Sequence, residues 1–218
     1  MKIYKLVNNN NRKLILFFAG WSASPEWFRT IQPGKDYDLW ICYDYRGLEF
    51  KEQTGTYQEI DLIAWSLGVW VASVLLTEKE KLFTPARAIA INGTPSPVHD
   101  LEGIPEATFR GTLENVTEEG MSRFNRRMYG SREILRIHEK YPARPLEEIR
   151  KELQYLYQEI LSRTPVSDFW TQAILSVSDR IFPSENLKRY WSGRCPVKEI
   201  NAPHYPFYLW KQWNEIWE

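Results

Sequence analysis

Short, continuous apolar runs are the feature that most constrains the fold of this chain. Six read as strands, and several are apolar throughout instead of alternating: "KIYKLV", "KLILFFA", "DLWICYD", "IDLIAW", "RAIAIN" and "QAILSVSD". Such runs are typical of parallel strands buried on both faces. "LGVWVASVLLTEK" (residues 67–79) reads as a helix between the fourth and fifth strands. Strand, helix and strand in succession predict an α/β protein with a mostly parallel open sheet flanked by helices.

A long helical segment interrupts this rhythm. Residues 94–171 contain no convincing strand, whereas "EGMSRFNRRMYG" and "PLEEIRKELQYLYQEILSR" are helical in pattern. The second segment has apolar residues at helical spacing: Leu146, Ile149, Leu153, Leu156 and Ile160. With 218 residues and 43% apolar content, the chain suits one domain, 1–218. We therefore predict a single domain with a helical lid insertion over residues 94–171.

One serine lies at the junction of the fourth strand and its helix, in Ala64-Trp65-Ser66-Leu67-Gly68. A nucleophile elbow needs this arrangement, because a sharp strand–helix turn lifts the hydroxyl above the sheet edge. The usual pattern is G-x-S-x-G, and here alanine replaces the first glycine. The alternative is an ordinary serine at a helix N-terminus.

A nucleophilic serine needs a base and an acid, which follow in the order Ser, acid, His in this architecture. Of the three histidines, His204 in "NAPHYPF" alone follows a plausible acid on the last main strand. Asp179, at the end of "QAILSVSD", is that acid, and Asp168 before the strand is the alternative. We expect His138 to be solvated on a charged helix and His99 to lie in a loop.

Two backbone amides should stabilise the oxyanion that forms when a hydroxyl attacks a carbonyl. One is that of Leu67, directly after the serine. The other is that of Trp21 in "FFAGWSAS", where Gly20 allows a close approach. Trp21 and Trp65 should then flank the serine and shape an apolar substrate-binding mouth. We interpret Asp44, after the third strand, as structural and expect it to bind loop amides near the site.

Composition excludes several other classes of protein. Lys plus Arg and Asp plus Glu are both 28, so no overall field favours a nucleic-acid or membrane partner. Cys42 and Cys195 show no disulfide or zinc spacing, and we expect Cys42 in the core and no metal site. No apolar stretch is long enough to span a bilayer, and the N-terminus lacks a signal-peptide pattern, which predicts a cytoplasmic protein.

Taken together, several segments resemble the BioG-type pimeloyl-acyl-carrier-protein methyl ester esterases of bacterial biotin synthesis, within the α/β-hydrolase superfamily. They span nearly the whole chain: "FFAGWSASPEWF", "YDYRG", "DLIAWSLGVWVA", "AINGTPSPVHDLEGIP", "FNRRMYG", "SDRIFP" and "APHYPF". The resemblance implies hydrolysis of the methyl ester of pimeloyl-acyl carrier protein by Ser66, Asp179 and His204. It implies no metal or cofactor, and an acyl carrier protein bearing a methyl-pimeloyl group as partner.

That partner is acidic and carries a phosphate, which arginine binds well. Arg123, Arg126 and Arg127 lie at i, i+3 and i+4, so they are candidates for binding the carrier. The alternative for these arginines is a solvated helix face. For the function, the alternatives are a broad esterase, a thioesterase, or a non-catalytic binding protein with a hydrolase fold.

Overall fold

A computed structural model describes residues 1–78, 82–165 and 168–218, and in it a seven-stranded sheet organises the chain. The spatial order of the strands is β1-β3-β2-β4-β5-β6-β7. β1 is antiparallel to β3, and every other neighbouring pair is parallel. The strands are β1 Lys2–Val7, β2 Lys13–Phe18, β3 Tyr37–Tyr43, β4 Glu59–Trp65, β5 Arg87–Ile91, β6 Gln172–Ser176 and β7 Val197–Ile200. The predicted mostly parallel α/β sheet is confirmed, with an antiparallel strand at one edge.

Six α-helices accompany the sheet among the described residues. They are α1 Leu67–Glu78, α2 Glu106–Glu114, α3 Glu118–Tyr129, α4 Arg132–His138, α5 Leu146–Ser162 and α6 Ser184–Trp191. α1 joins β4 to β5, and α6 joins β6 to β7, whereas the connections from β2 to β3 and from β3 to β4 contain no α-helix. Residue 79, the last of the predicted first helix, lies outside the described residues.

The helices α2 to α5 all fall between β5 and β6, where the helical insertion was predicted. Residues 166 and 167 of that interval lie outside the described part of the chain. On α5, the apolar face packs as its periodicity predicts, since Ile149, Leu153, Leu156 and Ile160 are buried. Glu152 is fully buried on the same face, which the apolar pattern did not predict.

The core is rich in aromatic side chains. Eight of the ten tryptophans are buried, so most of the tryptophan content belongs to the core. Cys42 is fully buried in β3, and both cysteines are free. None of the helices in the described ranges is both long and apolar enough to cross a membrane.

The direction of the parallel strands determines where loops meet. β4, β6 and β7 run parallel, so their carboxyl ends lie at one edge of the sheet, where ligands of open α/β sheets bind. Ser66 follows β4 directly, Asp179 follows β6, and His204 follows β7. The sheet therefore delivers three residues that are distant in sequence to one place.

Candidate active site

Ser66 occupies a sharp turn between β4 and α1. Its φ angle is 58°, in the left-handed region that non-glycine residues rarely adopt. Its amide donates to the carbonyl of Ile91 at 2.9 Å, which ties the turn to the neighbouring strand. The helix then passes so close to β2 that a Cβ atom on Gly68 would lie 2.3 Å from the carbonyl oxygen of Phe18. Ala64 is fully buried, so alanine fits where the usual pattern has its first glycine.

Ser66, His204 and Asp179 form one buried chain of hydrogen bonds. Nε2 of His204 lies 2.9 Å from Oγ of Ser66, and Nδ1 lies 2.7 Å from Oδ2 of Asp179. The other carboxylate oxygen of Asp179 accepts hydrogen bonds from the amides of Ile181 and Phe182, at 2.7 and 3.0 Å. The carboxylate is thus fixed on one side by backbone donors and faces the imidazole on the other. With a proton on Nδ1, Nε2 is free to accept the proton of the serine hydroxyl.

The backbone of His204 is held by two side chains. Its carbonyl accepts hydrogen bonds from Nε1 of Trp65 and from Nδ2 of Asn92, both at 2.9 Å. Trp65 is almost fully buried, and its ring centroid lies 5.3 Å from that of His204. Its indole therefore supports the histidine, besides forming part of the cavity wall beside Ser66.

Asn92 is a residue that sequence reasoning missed. It was read only as the end of a strand, but its side chain is fully buried and also exchanges hydrogen bonds with Ser176. The available signal was an amide side chain at the carboxyl end of a buried parallel strand, next to the strand that carries the serine.

The other predicted acid and histidines lie elsewhere. Asp168 is exposed and takes no part in the hydrogen-bond chain. His99 caps its own loop, where its Nδ1 accepts from the amides of Leu101 and Glu102.

The expectation that His138 is solvated is wrong, because its side chain is buried. It packs among four aromatic residues, with its ring centroid 4.5 Å from that of Tyr129 and 4.2 Å from that of Tyr205. Burial lowers the pKa of His138 to about 4, because the apolar surroundings disfavour the charged form. Its charged neighbours in sequence predicted an exposed helix face, but His138 itself lies on the inward side of a short helix.

Trp21 and Leu67, the predicted sources of the oxyanion amides, line the same cavity as Ser66. The N–H groups of Trp21 and Leu67 have no acceptor among the described residues, and Leu67 is the first residue of α1. Such an N–H is left free by the helix itself. The indole of Trp21 donates to the carbonyl of Ile149 on α5 at 2.7 Å, and its ring packs edge-on against Phe124.

Asp44 is structural, but its partners among the described residues are side chains, and the expected bonds to loop amides are not among them. Its carboxylate instead forms ion pairs with Arg46 and Lys2, and with Arg144 at 2.9 Å. Burial alone would raise the pKa of Asp44, but the hydrogen bonds from Arg46 and Lys2 and the charge of Arg144 outweigh it and hold the pKa far below its usual value.

An apolar cavity opens over Ser66 and His204. It has about 520 Å³ of empty space including its mouth. The helices of the insertion roof it, with Phe109 from α2, Phe124 and Met128 from α3, and Leu153 from α5. A mostly apolar lining with a few polar groups is typical of small-molecule sites. Among the described residues, no cluster of His, Cys, Asp and Glu is arranged to hold a metal ion.

A second, more open groove adjoins the cavity between α2 and α3. Arg123, Arg126 and Arg127 all line it, and Arg127 lines the inner cavity too. All three are exposed; Arg123 pairs with Glu119 on its own helix. Arg144, by contrast, is buried in the Asp44 cluster, so it is not available to a docking protein.

A family model and a solved structure both match this chain over almost its whole length. A family model described as "Pimeloyl-ACP methyl esterase BioG" matches residues 1–216. The crystal structure of BioG from Haemophilus influenzae superposes with a TM-score of 0.94 at 38% identity, covering 100% of both chains. The predicted resemblance is confirmed at the level of the family.

Two further proteins are similar to this chain, one in sequence over part of its own length and one in fold. A malonyl-[acyl-carrier protein] O-methyltransferase of Bacteroides fragilis is 39% identical over 198 residues, which are 89% of this chain but only 40% of that protein. The naproxen esterase of Bacillus subtilis is 12% identical, with a TM-score of 0.57 over 93% of this chain and 80% of its own. This last match concerns the fold alone, and it agrees with the α/β-hydrolase architecture.

Proposed function

Because the chain belongs to the pimeloyl-ACP methyl esterase BioG family, we propose that it is a serine carboxylesterase that hydrolyses the methyl ester of pimeloyl-acyl carrier protein. The observation that carries this proposal is the buried chain from Ser66 through His204 to Asp179 beneath an apolar cavity. The substrate is proposed from the family, and the serine mechanism is proposed from the geometry of these three residues.

The reaction starts at Ser66. Its Oγ attacks the ester carbonyl while Nε2 of His204, 2.9 Å away, takes the hydroxyl proton. Asp179 stabilises the imidazolium that forms and keeps the proton on Nδ1. The amides of Trp21 and Leu67 are the proposed donors to the oxyanion of the tetrahedral intermediate, since neither has another acceptor in the described part of the chain.

The intermediate collapses when His204 returns the proton to the leaving oxygen, which departs as methanol. Water then attacks the acyl-enzyme with the same histidine as base, and free acid and Ser66 are released. The product carries a carboxylate in a cavity of apolar side chains. Burying that charge without a partner is costly, so the product should rebind weakly.

The surface beside the cavity suits a carrier-bound substrate. The acyl chain would lie in the apolar cavity, and the phosphate of the carrier arm and the acidic carrier would meet Arg123, Arg126 and Arg127. The B. fragilis relative is named for methyl transfer to malonyl-[acyl-carrier protein], which makes the kind of bond that a methyl esterase cleaves. The helical segment 94–171 would act as a lid that encloses the acyl chain.

Hydrolysis of methyl-pimeloyl-carrier protein, followed by mass spectrometry of the carrier, tests this proposal. The expected product has lost one CH₂ unit from the acyl group and has kept the carrier, and Ser66→Ala should give none. Loss of the whole acyl group would indicate a thioesterase instead. Equal kcat/KM for free dimethyl pimelate and for the carrier-bound ester would indicate a broad esterase. No labelling of the folded protein by a fluorophosphonate would contradict any serine hydrolase and favour a binding protein.

A further inference from the structure

One buried carboxylate outside the Ser66–His204–Asp179 chain is connected to the same site. Glu152 lies on α5, one turn after Ile149, and has no exposed surface. Its Oε1 accepts from the amide of Tyr45 at 2.8 Å, and its Oε2 accepts from the amide of Ser22 at 3.4 Å and from Nη1 of Arg144 at 2.7 Å. All its partners are donors, which is the environment of an ionised carboxylate.

The contact with Ser22 matters because this residue directly follows Trp21, whose amide is the proposed second oxyanion donor. Ser22 has a φ angle of 65°, so the loop holds a conformation that its sequence does not favour by itself. α5 fixes this loop at two points: the carboxylate of Glu152 binds the Ser22 amide, and the carbonyl of Ile149 binds the Trp21 indole at 2.7 Å. The helix therefore determines where the Trp21 amide lies.

Glu152 is itself held in place. Arg144 bridges it to Asp44, with 2.7 Å to Glu152 and 2.9 Å to Asp44, and the guanidinium is almost fully buried. Burial raises the pKa of Glu152, and the positive charge of Arg144 opposes that shift. A charged group this deep is costly to bury, and its hydrogen bonds with Arg144, Tyr45 and Ser22 offset that cost.

We propose that Glu152 is a positioning residue for the esterase reaction, which fixes the Trp21 amide in the oxyanion hole through its hydrogen bond to Ser22. The inference rests on the proposed function. It makes α5 a part of the reaction centre as well as a roof over the acyl chain. Because an oxyanion donor acts mainly on the tetrahedral state, removing Glu152 should change kcat far more than KM.

The test compares Glu152→Gln with Glu147→Gln on the first turn of the same helix. Glu147 is exposed, and its partners in the described ranges are Arg150 and Lys151, so it controls for charge loss on α5. In Glu152→Gln, the NH₂ group would face either the amide of Tyr45, or both the amide of Ser22 and the guanidinium of Arg144, so at least one contact becomes repulsive. The substrate is p-nitrophenyl butyrate, and butylboronic acid serves as a probe that forms a tetrahedral adduct with the serine.

We expect kcat of Glu152→Gln to fall by about 10- to 100-fold, short of the roughly 10²–10³ that loss of a whole oxyanion donor costs. KM should stay within about twofold, and Ki of the boronic acid should rise in parallel with the fall in kcat. Glu147→Gln should match the wild type. If Glu152→Gln does not fold, Glu152→Asp keeps the charge beside Arg144 and retreats from Ser22 by one methylene, with the same expected pattern.

A folded variant with unchanged kcat and boronic-acid Ki would overturn the inference alone. So would an activity loss that disappears after correction for the folded fraction, measured by near-UV circular dichroism, since that is a structural effect. A wild type that hydrolyses neither the short ester nor methyl-pimeloyl-carrier protein would overturn the proposed function and this inference together.

Discussion

Replacing Asp179 by asparagine tests the proposed acid with almost no change of shape. One oxygen of the carboxylate accepts from the amides of Ile181 and Phe182, and the other faces Nδ1 of His204 at 2.7 Å. An asparagine can keep its single oxygen on the two backbone donors, which then places its NH₂ group against Nδ1. That contact is favourable only if Nδ1 has no proton. The imidazole would then carry its proton on Nε2, where it cannot accept a proton from Ser66.

The size of the effect follows from this tautomer. The same substitution in serine proteases lowers kcat by about 10⁴, which corresponds to roughly 5.5 kcal/mol in the activation free energy. The backbone hydrogen bonds survive, so we expect a change in the free energy of unfolding of only about 1 kcal/mol. Activity should therefore collapse in a folded protein.

The assay is steady-state hydrolysis of p-nitrophenyl butyrate and of methyl-pimeloyl-carrier protein, with Asp168→Asn as the matched control. Asp168 is exposed and precedes β6, so its variant should retain nearly full activity. The reasoning fails if Asp179→Asn keeps more than about a tenth of wild-type kcat, or if Asp168→Asn is the more damaging change.

Four further outcomes are expected. Ser66→Ala should lower kcat by about 10⁴–10⁶ without unfolding the protein, and it should abolish labelling by a fluorophosphonate. Residual activity above about a tenth of the wild type would indicate that Ser66 serves only at the helix N-terminus. Arg126→Glu should raise KM for methyl-pimeloyl-carrier protein about tenfold and leave the kinetics with p-nitrophenyl butyrate nearly unchanged. Added salt should likewise raise the KM of the wild type for the carrier-bound substrate. An equal loss of activity on both substrates would indicate a structural role for Arg126. Burial lowers the pKa of His138 to about 4, so between pH 6.5 and pH 4 the imidazole takes up a proton in the unfolded chain but not in the folded one. The free energy of unfolding should therefore fall by about 3 kcal/mol over this range, as denaturant titration at each pH would measure. His138→Phe should abolish that fall, and an unchanged dependence of the unfolding free energy on pH would contradict the prediction. Gly68→Ala places a methyl group 2.3 Å from the carbonyl oxygen of Phe18, so we expect a loss of about 3 kcal/mol in the free energy of unfolding, and a variant as stable as the wild type would refute the close packing.

Much of the fold could be read from local pattern. Continuous apolar runs predict the buried parallel strands, and the helical spacing in residues 146–160 predicts the buried face of α5. The position of Ser66 at a strand–helix junction is also local, since five consecutive residues specify it. These features depend on contacts within one element, which its own residues determine.

The tertiary structure alone decided which polar residues are buried and what they bind. His138 and Arg144 lie in strongly charged stretches and read as solvated, yet both are buried. Asn92 reaches His204 across 112 positions of sequence, and Glu152 reaches Ser22 across 130. The physical reason is that a polar side chain tolerates burial only where partners satisfy it, and those partners come from distant segments. The chain determines its strands and its serine turn locally, whereas the support of the histidine and of the oxyanion loop exists only once the sheet and the inserted helices have packed together.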